Sequence, residues 1–245
     1  MRKVKATRNF VTSRRELLKI EGRAVEVNVR LNPRARRLIV KVHPTTGEVT
    51  VTAPSQRALD KAMEFARGQR DWIARQLSRV PAPVALCAGA SLPLRGRMHA
   101  VREGAPGGGV AWIEDGGLCV TGAREHQPRR ILDFLKREAR AELEARSLEF
   151  GRRLGVRHRR ITVRDTASRW GSCSAGRSLS YSWRLILAPP FVLDYVVAHE
   201  VSHMREMNHG PGFWRLVASL VGDVRRPQRW LREHGSELHR YAARS

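Results

Sequence analysis

The stretch VVAHEVSHMREMNHGPGFW, Val196 to Trp214, decides how this chain is read. It sets His199, Glu200 and His203 in the spacing H-E-x-x-H, with His209 six residues beyond. On a helix, positions i and i+4 share a face one turn apart, so two imidazoles can hold one zinc ion. The glutamate between them sits about 100° round the helix. There it is displaced from the ion but within reach of a water that the ion acidifies, the position of a general base. A catalytic zinc site also needs a third protein ligand and one open position.

The helical wheel places these groups in a buried setting. With His199 at 0°, His203 falls near 40°. Leu193, Val197, Val201 and Met204 occupy the opposite side, and Val192 and Val196 border the histidines. A helix apolar nearly all round is buried, and buried imidazoles need partners, which a metal supplies. Glu206 and His209 compete for the third ligand position. Glu206 is seven residues from His199, about 10.5 Å along a helix, too far for one ion. His209 precedes the break Gly210-Pro211-Gly212, where a chain that turns back returns it to the metal, so His209 is preferred. Nine histidines and sixteen glutamates in 245 residues give a chance expectation of about 0.02 for the H-E-x-x-H spacing, which makes it a strong hypothesis.

Working outward, residues 1–20 read as a basic flexible arm, with seven positive charges against Glu16. A β-rich region with one helix follows over 21–125. Val25, Val27 and Val29 share a strand face, RRLIVKV and EVTVTAP make two more strands joined by HPTTG (residues 43–47), and a hairpin turn falls near Asp115-Gly116. Between them SQRALDKAMEFARGQRDWIARQLSRV reads as an amphipathic helix with Ser55 as N-cap. No period of 20–50 residues repeats. From 126 to 245 a long helix, with Leu132, Leu135, Ala139, Leu143 and Phe150 near one stripe, leads into the strands RHRRITVRD and SLSYSWRLILAP and then the H-E-x-x-H helix. The expected fold class is α+β.

The chain is strongly basic. Lys+Arg is 46 against Asp+Glu 23, a net charge of +23. Forty of the basic residues are arginine, so coding bias competes with polyanion binding as the explanation. Three cysteines, Cys87, Cys119 and Cys173, make neither a disulfide framework nor a C-x-x-C pair. The N-terminus lacks the apolar core of a signal peptide, and no stretch reaches the 18 or so apolar residues of a membrane helix. The expectation is a cytoplasmic protein without a membrane partner; nothing in the sequence fixes an oligomeric state.

SRWGSCS (residues 168–174), WRLILAP (183–189) and YVVAHEVSHMREMNHGPGFW, in that order, closely resemble the YgjP-like metallopeptidases, a bacterial group related to the zincin clan and more distantly similar to SprT-like and WLM proteases. The match is specific over about residues 126–240 and looser in the N-terminal half. The resemblance implies a zincin-like domain holding one Zn2+ per chain through His199, His203 and His209, with Glu200 as general base. Gly210 stands where serine is common in the family's N-H-[SG]-P-x-F-W segment. It also implies a sheet beside the active-site helix, with SLSYSWRLIL as the neighbouring strand and a peptide added to the sheet edge. SRWGSCS, with Arg169, Trp170 and Ser172, would roof the cleft. Tyr181, Arg184 and Tyr195 are all available to stabilise the oxyanion, and Cys173 would close the site if it reached the metal.

The leading expectation is a zinc-dependent peptidase acting on protein or peptide. The alternative is a nucleic-acid-associated protein, binding through clusters such as GRRLGVRHRR (151–160) and VRRPQRWLREH (224–234), with a structural or vestigial zinc. A protease recruited to DNA to act on bound proteins combines the two.

Overall fold

Alternation of apolar and polar residues builds the first sheet. The computed structural model describes residues 13–43, 46–80, 82–105, 107, 109–166 and 169–241, and the chain divides into two compact units, 1–81 and 82–245. In the first unit β1 (Ser13–Ile20) and β2 (Arg23–Leu31) form an antiparallel hairpin. Its turn residues Glu21 and Gly22 have φ of 45° and 81°, positive at both positions as a type I′ turn requires. β3 (Ile39–Val42) and β4 (Val49–Ala53) form a second hairpin, and β4 runs parallel to β2, so the order is β1-β2-β4-β3. Strand β1 thus occupies the second part of the stretch read as a flexible arm. Leu18 and Ile20 bury in the core while β2 pairs with its backbone. Residues 1–12 of that arm, and Pro44 and Thr45 of the expected turn, lie outside the described residues.

The single helix expected after β4 is three short ones: α1 (Gln56–Asp60), α2 (Ala62–Gly68) and α3 (Arg70–Leu77). Ser55 caps the first, its hydroxyl accepting the Ala58 N–H at 3.2 Å. Gly68, a poor helix former, precedes the second break, at Gln69. The apolar stripe survives the breaks: Leu59, Ala62, Met63, Ala66 and Ile73 join Val27, Val29, Val49 and Val51 in one core.

The second unit begins with another four-stranded sheet. β5 (Ser91–Leu94), β6 (Arg97–Glu103), β7 (Ala111–Glu114) and β8 (Gly117–Val120) lie in the order β5-β6-β8-β7, the same arrangement of two hairpins joined by a parallel pair. The turns Arg95-Gly96 and Asp115-Gly116 both have paired positive φ. Leu92, Leu94, Val101, Leu118 and Val120 bury in the same cluster as Leu135 and Leu143 of α4 (Gln127–Leu154) and Val197 and Val201 of α5 (Pro190–Ser202). This shared core puts the boundary between units at 81/82, where the sequence pattern suggested 125/126.

A three-stranded sheet, β10-β11-β9, follows α4: β9 (Arg160–Arg164) runs parallel to the central β11 (Ser178–Ser182), and β10 (Gly171–Cys173) is antiparallel at the edge. The strand expected to run through WRLIL stops at Ser182. Its hydroxyl takes the Arg184 N–H at 3.4 Å, and Trp183–Leu187 coils into a buried 3-10 turn. Then come α5, α6 (Pro211–Val221), α7 (Arg225–His234) and a 3-10 turn over Gly235–Arg240. No helix among the described residues is long and apolar enough to cross a membrane.

Candidate metal centre

Prolines set both helices of the site. Pro190 opens α5 and Pro211 opens α6, each at a first-turn position where its missing N–H costs nothing. The end of α5 tightens through Met204 N–H to Val201 O and Arg205 N–H to Ser202 O, both 3.0 Å and both spanning three residues. The chain then reverses, and Gly210 N–H meets Asn208 O at 2.8 Å. That reversal brings His209 Nε2 to 3.0 Å from His199 Nε2. One ligand atom from each of His199, His203 and His209 lies within 4.8 Å of the others. Glu206, the rejected alternative, contributes only its main chain: its carbonyl oxygen lies 3.1 Å from His203 Nδ1. Since a carbonyl can only accept, Nδ1 carries the proton and Nε2 keeps its lone pair for a ligand.

Phe213 is fully buried beneath all three imidazoles, with ring centroids 4.8, 4.6 and 4.7 Å from His199, His203 and His209. In the sequence it stood only as the phenylalanine of the N-H-[SG]-P-x-F-W segment; its spacing four residues after His209 was the available signal. Burial, then the charges of His203 and His209, push the His199 pKa down to about 4. Burial also lowers that of His203. His199 Nδ1 is buried and has no hydrogen-bond partner among the described residues.

Glu200 is 6% exposed. Burial raises its carboxyl to about 7, against the opposing pull of the Arg169 charge. It lies not with the imidazoles but against β10: a Cβ on Gly171 would stand 2.6 Å from Glu200 Cγ and 2.7 Å from Oε1. A cleft of about 280 Å³ opens here, lined by Arg169, Trp170, Gly171, Tyr195, Val196, His199, Glu200 and Leu231. Trp170 is held from behind, its ring 5.3 Å from that of His239 and against Gly235. Tyr195 Oη accepts a hydrogen bond from Gln228 Nε2 at 3.0 Å. Leu231 and Gln228 come from α7, and their part in the site was not legible in the sequence.

Other expected cleft residues lie elsewhere. Tyr181 is fully buried, its hydroxyl 3.1 Å from Ser147 Oγ. Arg184 is 4% exposed, paired with Asp165, with its guanidinium 4.6 Å from the Trp183 ring centroid. Both serve the core of the unit and neither lines the cleft. Ser172 is on β10 but alternates away from the face that Gly171 turns to Glu200. The strand facing α5 is the edge strand β10, with β11 behind it. Cys173 is outside the histidine cluster; burial first, then the Glu200 charge, push its thiol up to about 11. Ser168 lies outside the described residues.

No curated protein matches the chain. The crystal structure of the metallopeptidase zymogen of Pyrococcus abyssi abylysin is 16% identical, covering 41% of this chain and 99% of its own at a TM-score of 0.35, a likeness too slight to argue from. The profile of the YgjP-like metallopeptidase domain matches residues 36–234, which include the three histidines, Glu200 and every residue lining the cleft. The chain therefore belongs to the YgjP-like family of metallopeptidases.

Proposed function

We propose that the chain is a zinc peptidase, with His199, His203 and His209 holding one Zn2+ and Glu200 acting as general base. The observation that carries this reading is the convergence of three imidazoles beside a buried carboxylate that is not one of them. The donor set fits zinc. Zn–N bonds of about 2.0–2.1 Å at a tetrahedral angle put ligand nitrogens about 3.3 Å apart, and His199 and His209 Nε2 are 3.0 Å apart. A depressed His199 pKa keeps that imidazole neutral at pH 7, as a ligand must be. When bound, zinc supplies a Lewis acid that polarises the scissile carbonyl and brings water to a reactive pKa.

The chain's own residues supply the rest. Glu200 takes a proton from the attacking water on a carboxylate oxygen and delivers it to the leaving amine. Substrate positioning falls to the edge strand. Ser182 N–H donates to Trp170 O at 2.9 Å, and Ser174 N–H to Ser178 O at 3.0 Å. In an antiparallel ladder this turns the main-chain groups of Trp170, Ser172 and Ser174 toward β11. Those of Gly171 and Cys173 face outward, free to pair with an extended peptide. Tyr195 is the preferred oxyanion donor: Gln228 donates to its oxygen, so its own proton is free to point into the cleft. Cleavage of a protein mixture by zinc-loaded wild type and by Glu200→Gln tests the reading. The expected result is loss of at least about 100-fold in rate with zinc retained. Equal cleavage by the two proteins refutes it.

A further inference from the structure

Three of the seven arginines on helix α4 are in ion pairs, whereas among the described residues none on α7 is. On α4, Arg129, Arg140 and Arg146 are matched by Asp133, Glu144 and Glu149, and Arg146 also by Asp194 of α5. Helix α7 carries Arg225, Arg226, Arg229 and Arg232 with a single acid, Glu233, and among the described residues none of the four is in an ion pair. All four are exposed. At the start of the helix a carboxylate meets the main chain, Asp223 Oδ1 accepting the Arg225 N–H at 2.8 Å. At about 100° per residue, Arg225, Arg229 and Arg232 lie within roughly 60° of one another. The helix itself reaches the site, since Leu231 lines the cleft and Gln228 holds Tyr195. Arg169 lines the same cleft, exposed and likewise in no ion pair among the described residues.

We propose that Arg225, Arg229 and Arg232, together with Arg169, form a cationic rim that selects acidic polypeptide segments as substrate; this rests on the peptidase reading above. An extended chain paired with β10 runs along the cleft to which the same helix contributes Leu231. Its side chains on one side repeat about every 6.6–6.8 Å. Arg225 and Arg229 are about 6 Å apart along the helix axis, and Arg229 and Arg232 about 4.5 Å, distances that long guanidinium side chains adapt to carboxylates at that repeat. A polypeptide is favoured over nucleic acid because Arg169, and Leu231 from the same helix as the other arginines, line the wall that holds Glu200. Acids flanking the scissile bond would raise local substrate concentration and the rate of encounter.

The test uses the zinc-loaded full chain and two labelled peptides of one core sequence, flanked by glutamates or by glutamines. At low salt the acidic peptide is expected to show kcat/KM higher by roughly tenfold or more, with the advantage shrinking as salt rises. The triple variant Arg225→Gln, Arg229→Gln, Arg232→Gln is expected to bring the ratio between the two peptides close to one. Binding of the same peptides, followed by fluorescence anisotropy, decides the rim without turnover. Should neither peptide nor any protein be cleaved, the peptidase reading fails while the binding ratio still reports on the rim. Equal affinity for both peptides, or a triple variant that keeps the preference, overturns the proposal. So does a triple variant that weakens binding of single-stranded DNA and leaves the peptide preference intact, which assigns the arginines to nucleic acid.

Discussion

Replacing Gly171 by alanine drives a methyl group into the proposed general base. The added carbon would stand 2.6 Å from Glu200 Cγ, 2.7 Å from Oε1 and 2.9 Å from Cδ. Carbon pairs are most stable at about 3.5–4.0 Å, so the carboxylate or the strand must shift by about 1 Å. Glu200 is 6% exposed at the wall of the cleft, and the shift falls on the carboxylate itself. Gly171 is not among the glycines with positive φ, so alanine meets no backbone strain and the effect is one of contact alone. Displacement of a reacting group by about 1 Å costs on the order of 100-fold in rate, and overpacking of this kind about 1–3 kcal/mol. In a chain of this size that lowers Tm by roughly 2–4 °C for each kcal/mol. The three atoms nearest the new methyl group all belong to Glu200 and none to a histidine, so metal affinity is expected to hold. The assay is kcat/KM on a peptide, with zinc content by mass spectrometry and Tm by calorimetry. Full activity in Gly171→Ala, or a loss that tracks loss of metal, refutes the reasoning.

Three further outcomes are expected. His209→Ala should weaken zinc binding by more than the roughly 10–100-fold that losing an outer-shell partner costs, measured by competition with a chromophoric chelator; unchanged affinity removes His209 from the ligand set. Gln228→Leu leaves the Tyr195 hydroxyl without its partner and should lower kcat by about fivefold through a hydrogen bond worth about 1 kcal/mol, with zinc affinity unchanged. Burial alone would raise the Asp165 pKa, but the hydrogen bond and charge of Arg184 outweigh it and hold the carboxyl below its ordinary value. The stability from this pair is therefore present above the ordinary carboxylate pKa and is lost as pH falls through the lowered one. Acid titration of Asp165→Asn against wild type should show the variant less stable near neutrality and the gap closing at low pH; a constant gap contradicts the assignment.

The histidine cluster was the most legible part of the sequence because its determinants are local. A turn of helix fixes His199 against His203, and Gly210-Pro211 marks where the chain must reverse to return His209. Turn chemistry was equally direct, with Asp115-Gly116 and the Ser55 cap each needing only neighbouring residues. What was hidden depends on pairing across distance. Leu231 and Gln228 reach the cleft from α7, about thirty residues beyond His199, and Trp170 is placed by Gly235 and His239. The role of Gly171 follows from the approach of Glu200 to a strand whose edge position no periodicity reveals. Likewise the apolar strands β5 to β8 carry no mark of which core they complete, and only their packing with α4 and α5 assigns them to the second unit. The repeated sheet order was invisible because the two sets of strands share a topology rather than residues.

The contact between His203 Nδ1 and the Glu206 carbonyl has a genetic consequence. Most groups that orient a ligand are side chains, and a codon change deletes them. This one is a peptide oxygen, present whichever amino acid is encoded at position 206. The tautomer of His203 is thereby insulated from substitution, and a systematic replacement scan through residues 204–208 would report position 206 as dispensable. Only a change in backbone path, such as inserting or deleting a residue in that turn, would expose the dependence.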